Sequence, residues 1–305
     1  STAAITFFGT GTSYDWTNDN ISIGLGASGT GNITAFPAVN TGTAPVVANL
    51  SVTPKYTFNA VTCAGTPQLF TITVFPTPTV YTIADVPYCN GASAAAIDFT
   101  SPAGNGSVSY AWTSSVDIGF GLSGTGDISS YTATNATSSN VTAVIKATPS
   151  SNGCDGVETT VTSITVYPTP TVDLITNVAY CNGASGTAID FTSPAGNGTV
   201  SYTWTCTPNI GFGTSGSGDI IAYTAINNTT SNIVAVVKAI PSSNGCTGAE
   251  TTVTTITVYP TPTVYTIPNA TYCNGDAGAA IDFTSPAGNG SVSYTWTSSV
   301  NIGFG

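Results

Sequence analysis

Three stretches of the chain, Gly24 to Gly29, Gly119 to Gly124 and Gly211 to Gly216, spell GxGxxG, the pattern that lets a backbone close on a pyrophosphate. That chemistry needs the glycines between a strand and a helix, with an acidic residue about 20 positions on to hold a ribose. Here they lie among serines, threonines and further glycines, so they are expected to form turns or bulges. Asp98, Asp190 and Asp282 recur, as do Asp127 and Asp219. Clustered carboxylates could bind calcium and paired ones could act as glycosidase acid and base, but the alternating Asp pattern of calcium loops is absent. Duplication alone accounts for their recurrence. A serine or cysteine nucleophile would lack an imidazole, because the chain has no His, and only Lys55, Lys146 and Lys238 could serve as base. The pairs Tyr110/Trp112, Tyr202/Trp204 and Tyr294/Trp296 could stack on sugars, yet a Trp in the third strand of a sandwich belongs in the core. We therefore assign no catalytic residue, no cofactor and no metal ligand, and read the chain as non-enzymatic.

Seven cysteines with no His and no CxxC pair favour disulfides in an oxidising compartment over metal binding. Cys89 and Cys154 stand 65 residues apart, and so do Cys181 and Cys246. Each pair is expected to be an intradomain disulfide, stabilising its repeat by roughly 4 kcal/mol on the chain-entropy model. Cys63 and Cys273 then have partners beyond the two ends. A rival set, Cys154 with Cys181, Cys246 with Cys273 and Cys63 with Cys89, uses all six and stays open. Cys206, matched elsewhere by Ser114 and Ser298, reads as a tolerated buried thiol. Asn-x-Ser/Thr occurs at Asn20, Asn32, Asn49, Asn105, Asn135, Asn140, Asn197, Asn227, Asn228, Asn269 and Asn289. Glycans there would explain how so weakly charged a surface stays in solution.

Charged residues are 6% of the 305, with 3 Lys+Arg against 14 Asp+Glu and a net charge of −11. Nucleic acid and anionic membrane surfaces are poor partners for such a chain. No apolar window approaches the length of a membrane span, and Ser1 to Thr6 lack the basic start of a signal peptide, so a mature chain or an excised piece is expected.

What positions these residues is a repeat. Tyr88-Cys89-Asn90-Gly91 returns at Tyr180 and Tyr272, a period of 92 residues, and the block from Ile97 to Gly106 returns at Ile189 and Ile281. Each unit closes on an alternating run such as Thr162 to Tyr167, followed by Pro168-Thr169-Pro170; matching prolines stand at Pro76/Pro78 and Pro260/Pro262. Proline cannot donate to a ladder, so short semi-rigid linkers and domain boundaries are expected there. The boundaries are 1–77 for a divergent partial repeat, 78–169 and 170–261 for full repeats, and 262–305 for a partial one. Ile5-Thr6-Phe7 and Tyr14-Asp15-Trp16 correspond to mid-repeat strands, so the partial units are expected to continue into further sequence or to be completed by neighbouring subunits. Within a unit, Val108, Tyr110 and Trp112 share one face of a strand, while Val141 to Ala147 is apolar on both faces like a central strand. About seven short strands per unit predict an all-β chain of tandem immunoglobulin-like (PKD-like) β-sandwiches of about 92 residues.

The unit Y-C-N-G … Y-x-W-T … N-G-C-x-G … I-T-V-Y-P-T-P resembles the PKD-like and immunoglobulin-like repeats of very large Bacteroidota cell-surface proteins, including type IX-secreted, SprB-like gliding adhesins. The likeness covers residues 78–305 closely and the first copy less well, since Trp16 to Cys63 is five residues longer than Trp112 to Cys154. It implies export to the cell surface or a secreted fibre and an adhesive or structural role; the partial end units and the loops, for their part, lead us to expect neighbouring copies of the same protein, or glycans, as partners. It transfers no catalytic residue.

Overall fold

Thr, Val and Ile crowd the alternating runs, and β-branched side chains of this kind pack well on a pleated, half-buried surface. The computed structural model describes residues 1–102, 107–194, 199–285 and 292–303, and apart from the single 3-10 turn Ile21–Ile23 every element in it is a strand. It divides into two compact units, Ser1–Asn135 with Val141–Val166, and Ala136–Asn140 with Tyr167–Gly305.

The first unit contains two repeats. In the first, β1 (Ser13–Asn18), β2 (Ser28–Thr30), β3 (Val46–Phe58), β4 (Val61–Ala64) and β5 (Gln68–Val74) form one sheet in the order β2-β1-β3-β4, with β5 also on β3. In the second, β6 (Val86–Cys89), β7 (Ser93–Ala94), β8 (Ser109–Ser114), β9 (Ser123–Thr125), β10 (Tyr131–Thr132), β11 (Val141–Ser151), β12 (Cys154–Asp155) and β13 (Thr159–Tyr167) follow. The main sheet runs β6-β13-β11-β8-β9 with β12 on β11, and β7 pairs with β10 in a small opposing layer. The Ile97–Ile128 bridge extends that layer, and Ile5–Ile33 is its counterpart in the first repeat.

The second unit repeats the pattern with β14 (Val178–Cys181), β15 (Ser185–Gly186), β16 (Ser201–Thr207), β17 (Ser215–Ser217), β18 (Tyr223–Thr224), β19 (Ile233–Ser243), β20 (Cys246–Thr247) and β21 (Thr251–Tyr259). Its main sheet is β14-β21-β19-β16-β17 with β20 on β19. Here β14 lies parallel to β21, Val178 opposite Ile256 and Cys181 opposite Tyr259. Residues 262–285 and 292–303 contain no strand.

Local chemistry fixes the corners. The hairpin after β11 turns on Asn152-Gly153 at φ 51° and 77°, and the one after β19 on Asn244-Gly245 at 52° and 78°, the left-handed pair that Asn-Gly tolerates best. The first repeat puts Asn59-Ala60 there instead, so Ala60 sits at φ 66° without glycine's freedom. Each repeat has its own core, built around Trp16, Trp112 and Trp204 respectively. The central strand differs from the sequence expectation: β11 alternates, with Ala143, Ile145 and Ala147 buried while Val144 is only half-buried. Only one face of the main sheet is covered by a second layer, and the other meets solvent.

Candidate functional site

The glycine motif is a seat for the tryptophan. A Cβ on Gly124 would run into the Trp112 indole, one on Gly216 into Trp204 and one on Gly29 into Trp16. Gly119, at φ 120°, lies against the Thr132 carbonyl. Two residues earlier, Asp117 Oδ1 accepts the amides of Gly119 (2.8 Å) and Gly121 (2.9 Å), and these bonds hold its carboxyl below the usual range. Asn209 makes the same two bonds to Gly211 and Gly213, and Asn301 the first of them, to Gly303. An amide replaces the acid without changing geometry, so the position needs an acceptor, not a charge. The sequence signal for this bond is an Asp or Asn two places before the first glycine, as at Asp117, Asn209 and Asn301.

Other chemistry-bearing side chains are engaged in the same way. Asp127 Oδ1 accepts the Phe99 amide and Asp219 Oδ1 the Phe191 amide, both at 2.8 Å, tying the small layer together. Asp98 and Asp190 do not join them in a ligand set: among the described residues no three His, Cys, Asp or Glu side chains gather as a metal site would require. Lys55 pairs with Asp15, Lys146 with Glu158 (3.3 Å) and Lys238 with Glu250 (2.9 Å), all at partly exposed positions. Tyr110 and Trp112, like Tyr202 and Trp204, are buried and present no sugar platform; burial, then Asp127, raises the Tyr110 phenol. A shallow open depression of about 430 Å³ lies over Phe99, Ser101, Tyr110 and Asp127. Its one carboxylate, Asp127, accepts the Phe99 amide through Oδ1.

Cys206 is fully buried, as the sequence suggested, and desolvation pushes its thiol up to about 11. Its Sγ donates to the Pro208 carbonyl at 3.4 Å, the bond that Ser114 makes to Val116 and Ser298 to Val300.

The expected disulfides are not the ones present. Cys154 and Cys181 are free, with Cys63, Cys206 and Cys273, whereas Cys89 and Cys246 are disulfide-bonded. Neither Cys89 with Cys154, nor Cys181 with Cys246, nor any pair of the rival set is formed. Geometry forbids the intradomain bonds. Cys181 stands at the C-terminal end of β21, while Cys246 pairs with Ser243 at the other end of the sheet. Ten strand positions separate Ser243 from Ile233, so the sulfurs are about 30 Å apart at roughly 3.3 Å per residue, far beyond disulfide reach. The third repeat thus carries Cys181 and Cys246 at opposite ends of its main sheet.

The linker prolines are packed rather than free spacers. Pro76, Pro78, Pro168 and Pro170 are buried. Gly156 has room for the Pro78 carbonyl only because it lacks a Cβ, and Gly248 does the same for Pro170. Pro262 is exposed.

Two sequons are withdrawn. Asn135 and Asn227 are buried, their amide nitrogens donating to the Val166 and Val258 carbonyls at 2.7 Å, so no glycan fits. Asn20 and Asn49 use their amide nitrogens on the Val47 carbonyl and on Asp19, Asn32 accepts the Phe7 amide, and Asn140 is half-buried. Asn228 and Asn269 are exposed. Asn105, Asn197 and Asn289 lie outside the described residues.

No family model matches the chain, and no curated protein matches it in sequence. Among solved structures it overlaps protocadherin gamma B2 extracellular cadherin domains 3–6 at 10% identity and a TM-score of 0.34, covering 81% of this chain and 68% of that one. Drosophila OTK extracellular domains 3–5 align at 8% and 0.33 over 82% and 85%. Chicken CNTN1 FN1–FN3 domains align at 9% and 0.25 over 81% and 89%. Overlaps at this level carry no inference about ligand or partner; the all-β assignment rests on the strand pairing itself. No helix among the described residues is long and apolar enough to cross a membrane.

Proposed function

We propose that the chain is a non-catalytic structural segment of an extracellular surface fibre or adhesin stalk, divided into repeats at 1–77, 78–169, 170–261 and 262–305. One observation carries this reading: the side chains that could do chemistry are spent on holding the backbone. Asp117, Asp127 and their counterparts accept main-chain amides, Trp16, Trp112 and Trp204 fill cores, and Lys55, Lys146 and Lys238 sit in half-exposed ion pairs. Copying a unit with its own core extends a chain without changing its chemistry. The Bacteroidota adhesin kinship suggested by the Tyr-Cys-Asn-Gly repeat, export to the cell surface, glycans at exposed sequons such as Asn228 and Asn269, and filaments built by strand sharing belong to this reading. Electron microscopy of native material tests it: regular filaments or stalks support it, and isolated globular particles contradict it.

The depression over Tyr110 and Asp127 favours a second reading, a carbohydrate- or surface-binding module. Binding of a two-repeat fragment to a glycan array, abolished by Asp127→Ala with the fold intact, would establish it. An accessory region of a secreted enzyme is a third reading, decided by whether the full-length gene encodes a catalytic domain.

A further inference from the structure

The first repeat has no counterpart of β6 or β14. In the second and third repeats those strands pair with β13 and β21 and cover the edge of the main sheet. In the first, β5 pairs only with β3, and Phe70, Ile72 and Val74 stay half-buried where Ile164, Val166, Ile256 and Val258 are buried. Gly65 matches Gly156 and Gly248, yet the atoms around it belong to Pro54 rather than to a linker carbonyl. So the first repeat lacks both contacts that a Pro-to-Tyr-Cys segment makes elsewhere.

The same chain carries such a segment, and among the described residues it joins no sheet. Residues 262–276 repeat the 170–184 segment that leads into and through β14, but Tyr272 is 54% exposed, Cys273 is an exposed thiol and Pro262 lies in solvent. The segment keeps one local contact of its counterparts: the Ala279 amide donates to the Tyr272 hydroxyl at 3.0 Å, as the Ala95 amide does to Tyr88 and the Thr187 amide to Tyr180.

We propose that residues 262–276 of one chain dock on the first repeat of a second copy, parallel to β5, with the Pro262 carbonyl against the acceptor's Gly65. The register follows from β14 on β21: Ala270 opposite Ile72, Thr271 opposite Thr73, Tyr272 opposite Val74. This rests on the strand-sharing form of the function proposed above and names its partner and register.

Docking also places the spare thiols. The donor's Cys273 reaches Phe75, three residues before Pro78, whose carbonyl sits on Gly156 two residues past Cys154. Donor Cys181 lies opposite Tyr259, which precedes Pro262 by the same interval, and in the proposed docking Pro262 meets Gly65 two residues past the acceptor's Cys63. Two interchain bonds follow, Cys273 to Cys154 and Cys181 to Cys63. Each forms as two thiols give up two protons and two electrons to a small-molecule disulfide, which leaves as two thiols.

The test mixes equal amounts of ¹⁴N- and ¹⁵N-labelled 305-residue chain, reduced, then concentrated with oxidised glutathione. Expected are head-to-tail multimers whose Cys63–Cys181 and Cys154–Cys273 linked peptides carry mixed labels as often as matched ones. Tyr272→Ala, outside all three cores, should weaken multimer formation by roughly tenfold or more while the circular dichroism and unfolding midpoint stay unchanged. Monomers at every concentration overturn the proposal. Matched labels alone overturn it too, since the tail then folds back on its own chain, as would cross-links in native material from β5 to residues that precede Ser1. Monomers that show neither glycan binding nor catalysis refute the strand exchange and leave the structural reading in place.

Discussion

β5 and β13 begin from similar runs, Phe70-Thr71-Ile72-Thr73-Val74 and Thr162-Ser163-Ile164-Thr165-Val166, and both lie on the long central strand of a sheet. Their surroundings differ. β13 has β6 on its far side and a bulge that turns Thr162 inward, where its hydroxyl donates to the Ala84 carbonyl at 3.2 Å. β5 keeps a regular register with β3 and has no strand beyond it; Leu69 is 80% exposed. An edge strand of this kind presents a row of unpaired amides and carbonyls. The contrast shows that the sequence of a strand sets which side chains alternate, whereas its neighbour determines whether they are buried.

The largest effect should come from the cores. Trp112→Ala or Trp204→Ala is expected to cost about 3–5 kcal/mol in denaturant unfolding, while Trp296→Ala, at a 54% exposed tail position, should stay within about 0.5 kcal/mol. Equal effects would erase the distinction between repeat and tail. Next, Gly124→Ala drives a methyl into the Trp112 ring and should cost roughly 1–3 kcal/mol. Gly121→Ala has open space around it but a φ of 95°, so its smaller loss reports backbone strain alone.

Titration gives a third handle. Burial raises the Cys206 thiol from 9.0 to about 11 and the Tyr131 and Tyr223 phenols from 10.0 to about 12. For an acid whose folded pKa is raised, the stabilisation is complete below the unfolded value and lost as pH climbs through the folded one. The second and third repeats should therefore weaken between about pH 9 and 12, the third more, because it contains both Cys206 and Tyr223. The first repeat matches neither group and should hold longer. In alkylation at pH 8, Cys63 and Cys273 should react and Cys206 should not. The smallest effect is Asp117→Asn, expected to leave the unfolding midpoint unchanged because Asn209 already does the same work; Asp117→Ala, which orphans two amides, should cost about 1 kcal/mol.

Much of this was legible in the residues. The 92-residue period and the Tyr110/Trp112 face were written in repetition and alternation, which act locally. The half-exposed face of β11 was not, because Val144 and Ile145 look alike until a second layer covers one and leaves the other bare. The cysteine pairs failed for a similar reason: a 65-residue spacing says nothing about opposite ends of a sheet, and only the Cys181–Tyr259 and Cys246–Ser243 registers do. Sequon patterns likewise could not tell buried Asn135 and Asn227, which brace the ends of β13 and β21, from exposed Asn228.

Hydrogen exchange on the dilute, reduced chain compares the two edges directly. The account predicts that amides in peptides spanning residues 68–74 exchange well before those spanning 159–167 and 251–259, since only the latter are flanked on both sides. Equal protection across the three would contradict it.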